Sequence, residues 1–100
     1  MSSSTAERNN STAVHIHVSD DLLLVELSDG RSISVPMTWY PRLAHATATE
    51  RNNWRLIAEG RGIHWPDLDE DISVENLLAG KLSGESQTSF KKWLAERLHQ

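Results

Sequence analysis

The chain has no cysteine, and that absence removes a whole class of chemistry. No disulfide, thiolate metal ligand or thiol nucleophile is available to it. Aromatic residues are sparse, with one Phe and one Tyr beside four Trp. Because Trp39, Trp54, Trp65 and Trp93 fall in four different segments, each is expected to anchor a core or an interface. No apolar run approaches the ~20 residues that span a bilayer. The opening segment, Met1 to Arg8, lacks the apolar stretch of a signal peptide. The expected location is therefore cytoplasmic, with no membrane partner. Positive charge is also short. The net charge is −4, whereas proteins that bind nucleic acid on their own carry a basic surplus to neutralise phosphates. Nucleic acid is not an expected partner of this chain alone.

What is present reads as one domain, since 100 residues leave no room for two. Residues 1–12 are rich in Ser, Thr and Asn, lack apolar periodicity and are expected to form a disordered tail. Val14, Ile16 and Val18 alternate with His15 and His17, the period of a strand with one apolar face. A second strand runs from Leu22 to Leu27. Ser28-Asp29-Gly30-Arg31 then signals a hairpin, because Asp-Gly readily supplies positive φ. Ser32 to Val35 alternates again, and Pro36 stops the strand for want of an N–H.

Thr38 is the expected cap of a helix running from about Trp39 to Arg51, with Pro41 in its first turn. Leu43, Ala46, Thr47, Glu50 and Trp54 recur at steps of three and four along it, and Asn52-Asn53 ends it. Two short strands follow around a Gly60-Arg61-Gly62 turn, the second ended by Pro66. Ser73 is placed to cap a brief helix, Val74 to Ala79, stopped at Gly80. A last amphipathic helix puts Phe90, Trp93, Leu94, Arg97 and Leu98 on one face. The fold class expected is α+β: a small antiparallel sheet, made of an N-terminal β-meander plus later strands, packed by a central helix and short C-terminal helices. Residues 13–81 form the α+β unit and residues 82–100 the C-terminal helical segment.

Candidate chemistry concentrates in Asp67, Asp69, Glu70 and Asp71. The three Asp residues occupy positions one, three and five of a calcium-binding loop, but Ile72 and Leu78 stand where Gly and a bidentate Glu are required. The simpler reading is that Asp69 to Asp71 face the N-terminus of the next helix and its dipole. His64 with Asp67 or Asp69 makes a candidate acid–base pair, but no nucleophile sits in a recognisable elbow. His15 and His17 share a strand face and lack an obvious third metal ligand other than His45 or His64. Gly60-Arg61-Gly62 lacks the third Gly and the following helix of a dinucleotide site. Arg42, Arg51, Arg55 and Arg61 form a loose basic series whose expected partner is the chain's own acidic cluster. No cofactor is expected. The stripe Phe90, Trp93, Leu94 and Leu98 either closes the core or enters a partner's groove.

The order of these motifs resembles a known bacterial family. Asp29-Gly30-Arg31, Pro36 to Leu43, Glu50-Arg51-Asn52-Asn53-Trp54, Gly62 to Val74 and Leu77-Leu78-Ala79-Gly80 together look like the family called domain of unknown function 2442. The resemblance covers about Asp20 to Lys81. Its signature positions here are Trp39, Pro41, Arg42, Trp54, His64, Trp65, Pro66, Asp69, Glu70 and Asp71. It implies a small α+β fold with an N-terminal antiparallel sheet and no established activity. Some members carry a helix-turn-helix domain after this module, for which Leu82 to Gln100 is too short. Others resemble proteins encoded beside a small partner, in a toxin–antitoxin-like arrangement. The expected function is thus a non-catalytic protein-binding module, antitoxin-like or regulatory, that meets a protein partner or a second copy of itself. The alternatives are a metal-dependent or acid–base enzyme using His64 and the Asp67 to Asp71 carboxylates, and a DNA-associated regulator.

Overall fold

The structure is a computed structural model that describes residues 11–98. Six strands form two antiparallel three-stranded sheets, ordered β1-β2-β3 and β4-β5-β6. The first holds β1 (Ala13–Val18), β2 (Leu22–Leu27) and β3 (Ser32–Pro36). The second holds β4 (Arg55–Ile57), β5 (Gly62–Trp65) and β6 (Glu70–Ser73). Between the sheets come a 3-10 turn at Met37–Trp39 and two short helices, α1 (Pro41–Ala44) and α2 (Ala48–Asn52). After them come α3 (Val74–Leu78) and α4 (Gln87–Leu98). The class is α+β, with the expected N-terminal meander. The later strands do not extend that meander but make a sheet of their own.

The meander follows the alternation of its residues, with one exception. Leu23, Val25 and Leu27 of β2 are buried, and so are Ile16 of β1 and Val35 of β3. Asp29 turns the hairpin: its Oδ1 accepts the Arg31 N–H at 3.0 Å, and Gly30 follows at φ +95°. The exception is β1, where Val14 is not on the apolar face. The pairing shifts between Ala13↔Leu27 and His15↔Glu26, so Val14 is the extra residue of a bulge. Ala13 is buried in its place and Val14 is 52% exposed. The expected tail of residues 1–12 lies outside the described residues as far as residue 10. Ser11 and Thr12 are not a loose end: Ser28 N–H donates to the Thr12 carbonyl and Ser11 Oγ to Asp29, each at 2.8 Å.

The expected helix from Trp39 to Arg51 is two helices, and Thr38 does not cap it. Pro41 is the first helical residue of α1, and Tyr40 before it lends no side-chain cap. The break comes from Thr47, whose backbone is extended at φ −77°, ψ 164°. Its hydroxyl accepts the Glu50 N–H at 3.1 Å while Glu50 accepts the Thr47 N–H at 2.9 Å. This reciprocal box caps α2 afresh, because a threonine side chain satisfies free helical donors better outside the helix than within it.

The acidic run is corrected too. Glu70 to Ser73 are not a loop before a helix but form β6, which runs directly into α3 and is paired with β5 through Trp65↔Glu70, His64↔Asp71 and Ile63↔Ile72. Only Ser73 plays the expected role, capping α3 by accepting the Asn76 N–H at 2.9 Å. Pro66 opens the turn between β5 and β6, in which Asp69 takes a left-handed φ of 52°. Helix α3 ends at Gly80, φ +75°. The two sheets share one core, with Ile63, Trp65 and Ile72 meeting Leu23, Val25, Met37, Leu43, Leu68 and Val74. Trp65 is fully buried, and Trp39, Trp54 and Trp93 are half-buried against that core.

Candidate functional site

Period-two geometry divides the acidic run. On β6, Ile72 faces the core, so Asp71 faces away from it and Glu70 turns inward again. Across the outward face, Arg55, His64 and Asp71 lie in one row, and His64 Nδ1 pairs with Asp71 Oδ1. The partner of His64 is therefore Asp71, not Asp67 or Asp69. Asp67 instead accepts from Asn53 Nδ2 at 3.0 Å. His64 lines neither of the two clefts described below.

Glu70, on the inward side, sits against Arg42, Tyr40 and Glu85. Burial, together with the neighbouring carboxylates of Glu85, Asp71 and Asp69, pushes its carboxyl up to about 7 against the pull of Arg42. Tyr40 is raised in turn by burial and by Glu70. Glu70, Tyr40, Ser73, Asn76 and Lys81 line a small cavity of about 90 Å³.

Arg42 is the hub of this region. From α1 its Nη1 donates to the Leu68 carbonyl at 2.9 Å and the Asp69 carbonyl at 3.4 Å, holding the turn that precedes Glu70. Its Nε and Nη2 grip Glu85, Nη2 at 2.6 Å. The pair is largely sheltered, at 15% and 10% exposure. Glu85 also accepts from Ser89 Oγ at 2.9 Å, and these bonds hold its carboxyl below the usual range. Helix α4 thus begins beside an anchored carboxylate.

Along α4, Trp93 lies near two guanidinium groups, Arg42 at 5.3 Å and Arg97 at 4.6 Å from the ring centre. Arg97 makes a two-pronged pair with Glu50, at 3.0 and 2.9 Å. Phe90 stacks on Trp93 at 5.9 Å and meets the His45 ring at 5.0 Å. Between α4 and the body runs a cleft of about 530 Å³, bordered by Arg42, Asp67, Asp69, Lys92, Trp93 and Arg97 among others. No side chain of α4 is fully buried, and Leu98 is 82% exposed.

His15 and His17 share the outward face of the meander, as expected. His15 meets Trp54 edge-on at 5.6 Å, and His17 Nε2 lies 2.6 Å from Glu26. Among the described residues no three His, Asp or Glu side chains converge as metal ligands. Of the basic series, Arg42 and Arg51 are engaged with the chain's own acceptors, but not with the acidic run's carboxylates. Arg51 reaches Asp20 at 2.8 Å and the carbonyls of Leu43 and Ala44 at 2.9 Å. Sequence reading missed Glu85 and Tyr40. Glu85 stands in a segment without periodicity, 43 residues from Arg42, so no local pattern marks it.

Comparison with known proteins agrees with this fold. The family described as "Protein of unknown function (DUF2442)" matches residues 13–83. A crystal structure of a protein of unknown function from Rhodospirillum rubrum is 25% identical, covers 79% of this chain and 98% of its own, and superposes with a TM-score of 0.67. The solution structure of an uncharacterised protein from Chromobacterium violaceum is 22% identical, covers 94% and 83%, and gives 0.66. No curated protein matches the chain.

Proposed function

The chain belongs to the DUF2442 family of proteins of unknown function, and from that footing we propose that it is a non-catalytic protein-binding module whose C-terminal helix is the binding element. One observation supports this above others: α4 is held to the body by Arg–Glu pairs and Arg–Trp stacking while burying no side chain completely. Apart from Trp93, which packs against the core, the helix is kept by polar contacts, and such an attachment leaves apolar surface for a partner. Of the expected partner-binding residues, Phe90, Trp93 and Leu94 are part-buried, whereas Leu98 is 82% exposed, so Leu98 meets a partner first and Leu94 lies beside it. The partner is a small protein encoded beside this chain, in an antitoxin-like or regulatory pairing.

Co-expression with the adjacent gene product and native co-purification test the reading. The expected result is a complex that survives gel filtration and is lost in Leu94→Glu/Leu98→Glu with unchanged circular dichroism. A double variant that binds as well as the parent would remove α4 from the interface. Light scattering of the chain alone distinguishes self-association.

A further inference from the structure

The body side of the α4 attachment contains a carboxyl group that its fixed contacts do not use. Arg42 spends its N–H groups on Glu85 and on the carbonyls of Leu68 and Asp69. Glu70 follows directly after those carbonyls, turned inward by the β6 alternation, and accepts no hydrogen bond from Arg42. Three carboxylates therefore act on one cation: Glu85 from the segment before α4, Asp69, and Glu70 itself. The Tyr40 hydroxyl, Ser73, Asn76, Lys81 and Ser83 line the same small cavity as Glu70.

We propose that Glu70 is a pH-sensitive release for α4: neutral, it leaves the Arg42–Glu85 clasp intact, and ionised, it repels Glu85 and competes for Arg42, loosening the helix. The reasoning is reciprocal. If an ionised Glu70 opposes a docked Glu85, then docking of Glu85 must equally oppose ionisation of Glu70. The inward position and the surrounding carboxylates hold the Glu70 carboxyl near neutrality, so the switch works in a physiological range. The inference deepens the proposed function, because it rests on α4 being the element that a partner takes up.

The test uses the whole chain without any partner. Amide exchange of Gln87 to Leu98, corrected for the intrinsic pH dependence of exchange, is followed from about pH 5 to about pH 8. Protection of α4 is expected to fall by a factor on the order of ten, the equivalent of one unit of coupling. Glu70→Gln is expected to keep α4 protected throughout, and Glu85→Gln to leave it poorly protected at both ends. His45→Asn serves as a control, since that ring touches Phe90; it is expected to preserve the pH dependence. A carbon-detected titration of the Glu70 carboxyl in the parent chain, with its midpoint expected to coincide with the loss of protection, stands even if a variant fails to fold. Protection that falls equally in Glu70→Gln, that stays level in the parent, or that stops falling in His45→Asn would overturn the switch. Because no partner is present, such a failure leaves the co-purification result to judge the binding role separately.

Discussion

The indole N–H of Trp65 donates to the backbone carbonyl of Arg51 at 2.9 Å. It joins the fully buried end of β5 to the last turn of α2. The carbonyl belongs to a helix terminus, where acceptors lack partners within the helix. Trp65→Phe keeps an aromatic ring but leaves that carbonyl without its donor and opens a gap in the core. A loss of about 2–4 kcal/mol is expected, read as a lower urea midpoint with an unchanged slope. A loss below about 1 kcal/mol would show that the carbonyl finds another donor.

Gly60 and Gly30 separate two reasons for a glycine. Both have positive φ, +89° and +95°. At Gly30 an added Cβ meets nothing within 4 Å, whereas at Gly60 it would stand 2.9 Å from the Ala13 carbonyl and from Thr12 Cβ. Gly30→Ala is expected to cost about 1 kcal/mol, the conformational penalty alone. Gly60→Ala must in addition push β1 away from the turn, so its melting temperature is expected to fall clearly further. Equal falls would mean that β1 yields without cost.

Stability should depend on pH with two opposed slopes. Glu70 is raised from 4.5 to about 7 on folding. In that interval the folded chain binds more protons than the unfolded one, so stability falls as pH rises from about 4.5 through 7. Glu50 and Glu85 are lowered by Arg97 and Arg42. Their contribution is present above 4.5 and is lost as pH falls through their folded values. Thermal melts should therefore peak in mildly acidic buffer. Glu70→Gln should raise the melting temperature at about pH 8 and change it little at about pH 5; an equal gain at both would refute the assignment.

Glu50 has two duties, since it completes the Thr47 cap and holds Arg97 of α4. Thr47→Ala should cost about 1 kcal/mol through the cap. Thr47→Ser, which keeps the accepting oxygen, should cost a few tenths at most, on the order of 0.3 kcal/mol. Chemical denaturation of both variants checks this, and equal losses would assign the effect to the methyl group instead.

These contacts mark what local pattern conveys and what it does not. The hairpin at Asp29-Gly30, β2, β3 and β5, the Ser73 cap and the Gly80 stop are visible in sequence because each rests on neighbours along the chain. The break at Thr47 was present as a Thr-x-x-Glu box, but helical spacing of Leu43, Ala46 and Glu50 runs straight through it. Strand β6 was hidden because Glu70-Asp71-Ile72-Ser73 carries one apolar residue and reads as acidic loop. The bulge at Val14 follows from pairing with β2, which no β1 residue announces. Of the candidate site, Arg42 and Glu70 were visible as signature residues, but their relation was not. Arg42 meets Glu85 only when the chain folds back over 43 residues.

The placing of the acidic run in a strand also makes its spacing a matter of odd and even. Insert one residue between Pro66 and Glu70 with the downstream pairing moved along, and every side chain of β6 changes face: Asp71 would enter the core and Ile72 would meet water. Insert two, and each returns to its side. Among relatives, length changes in this turn should therefore come in pairs, or be absorbed by a bulge.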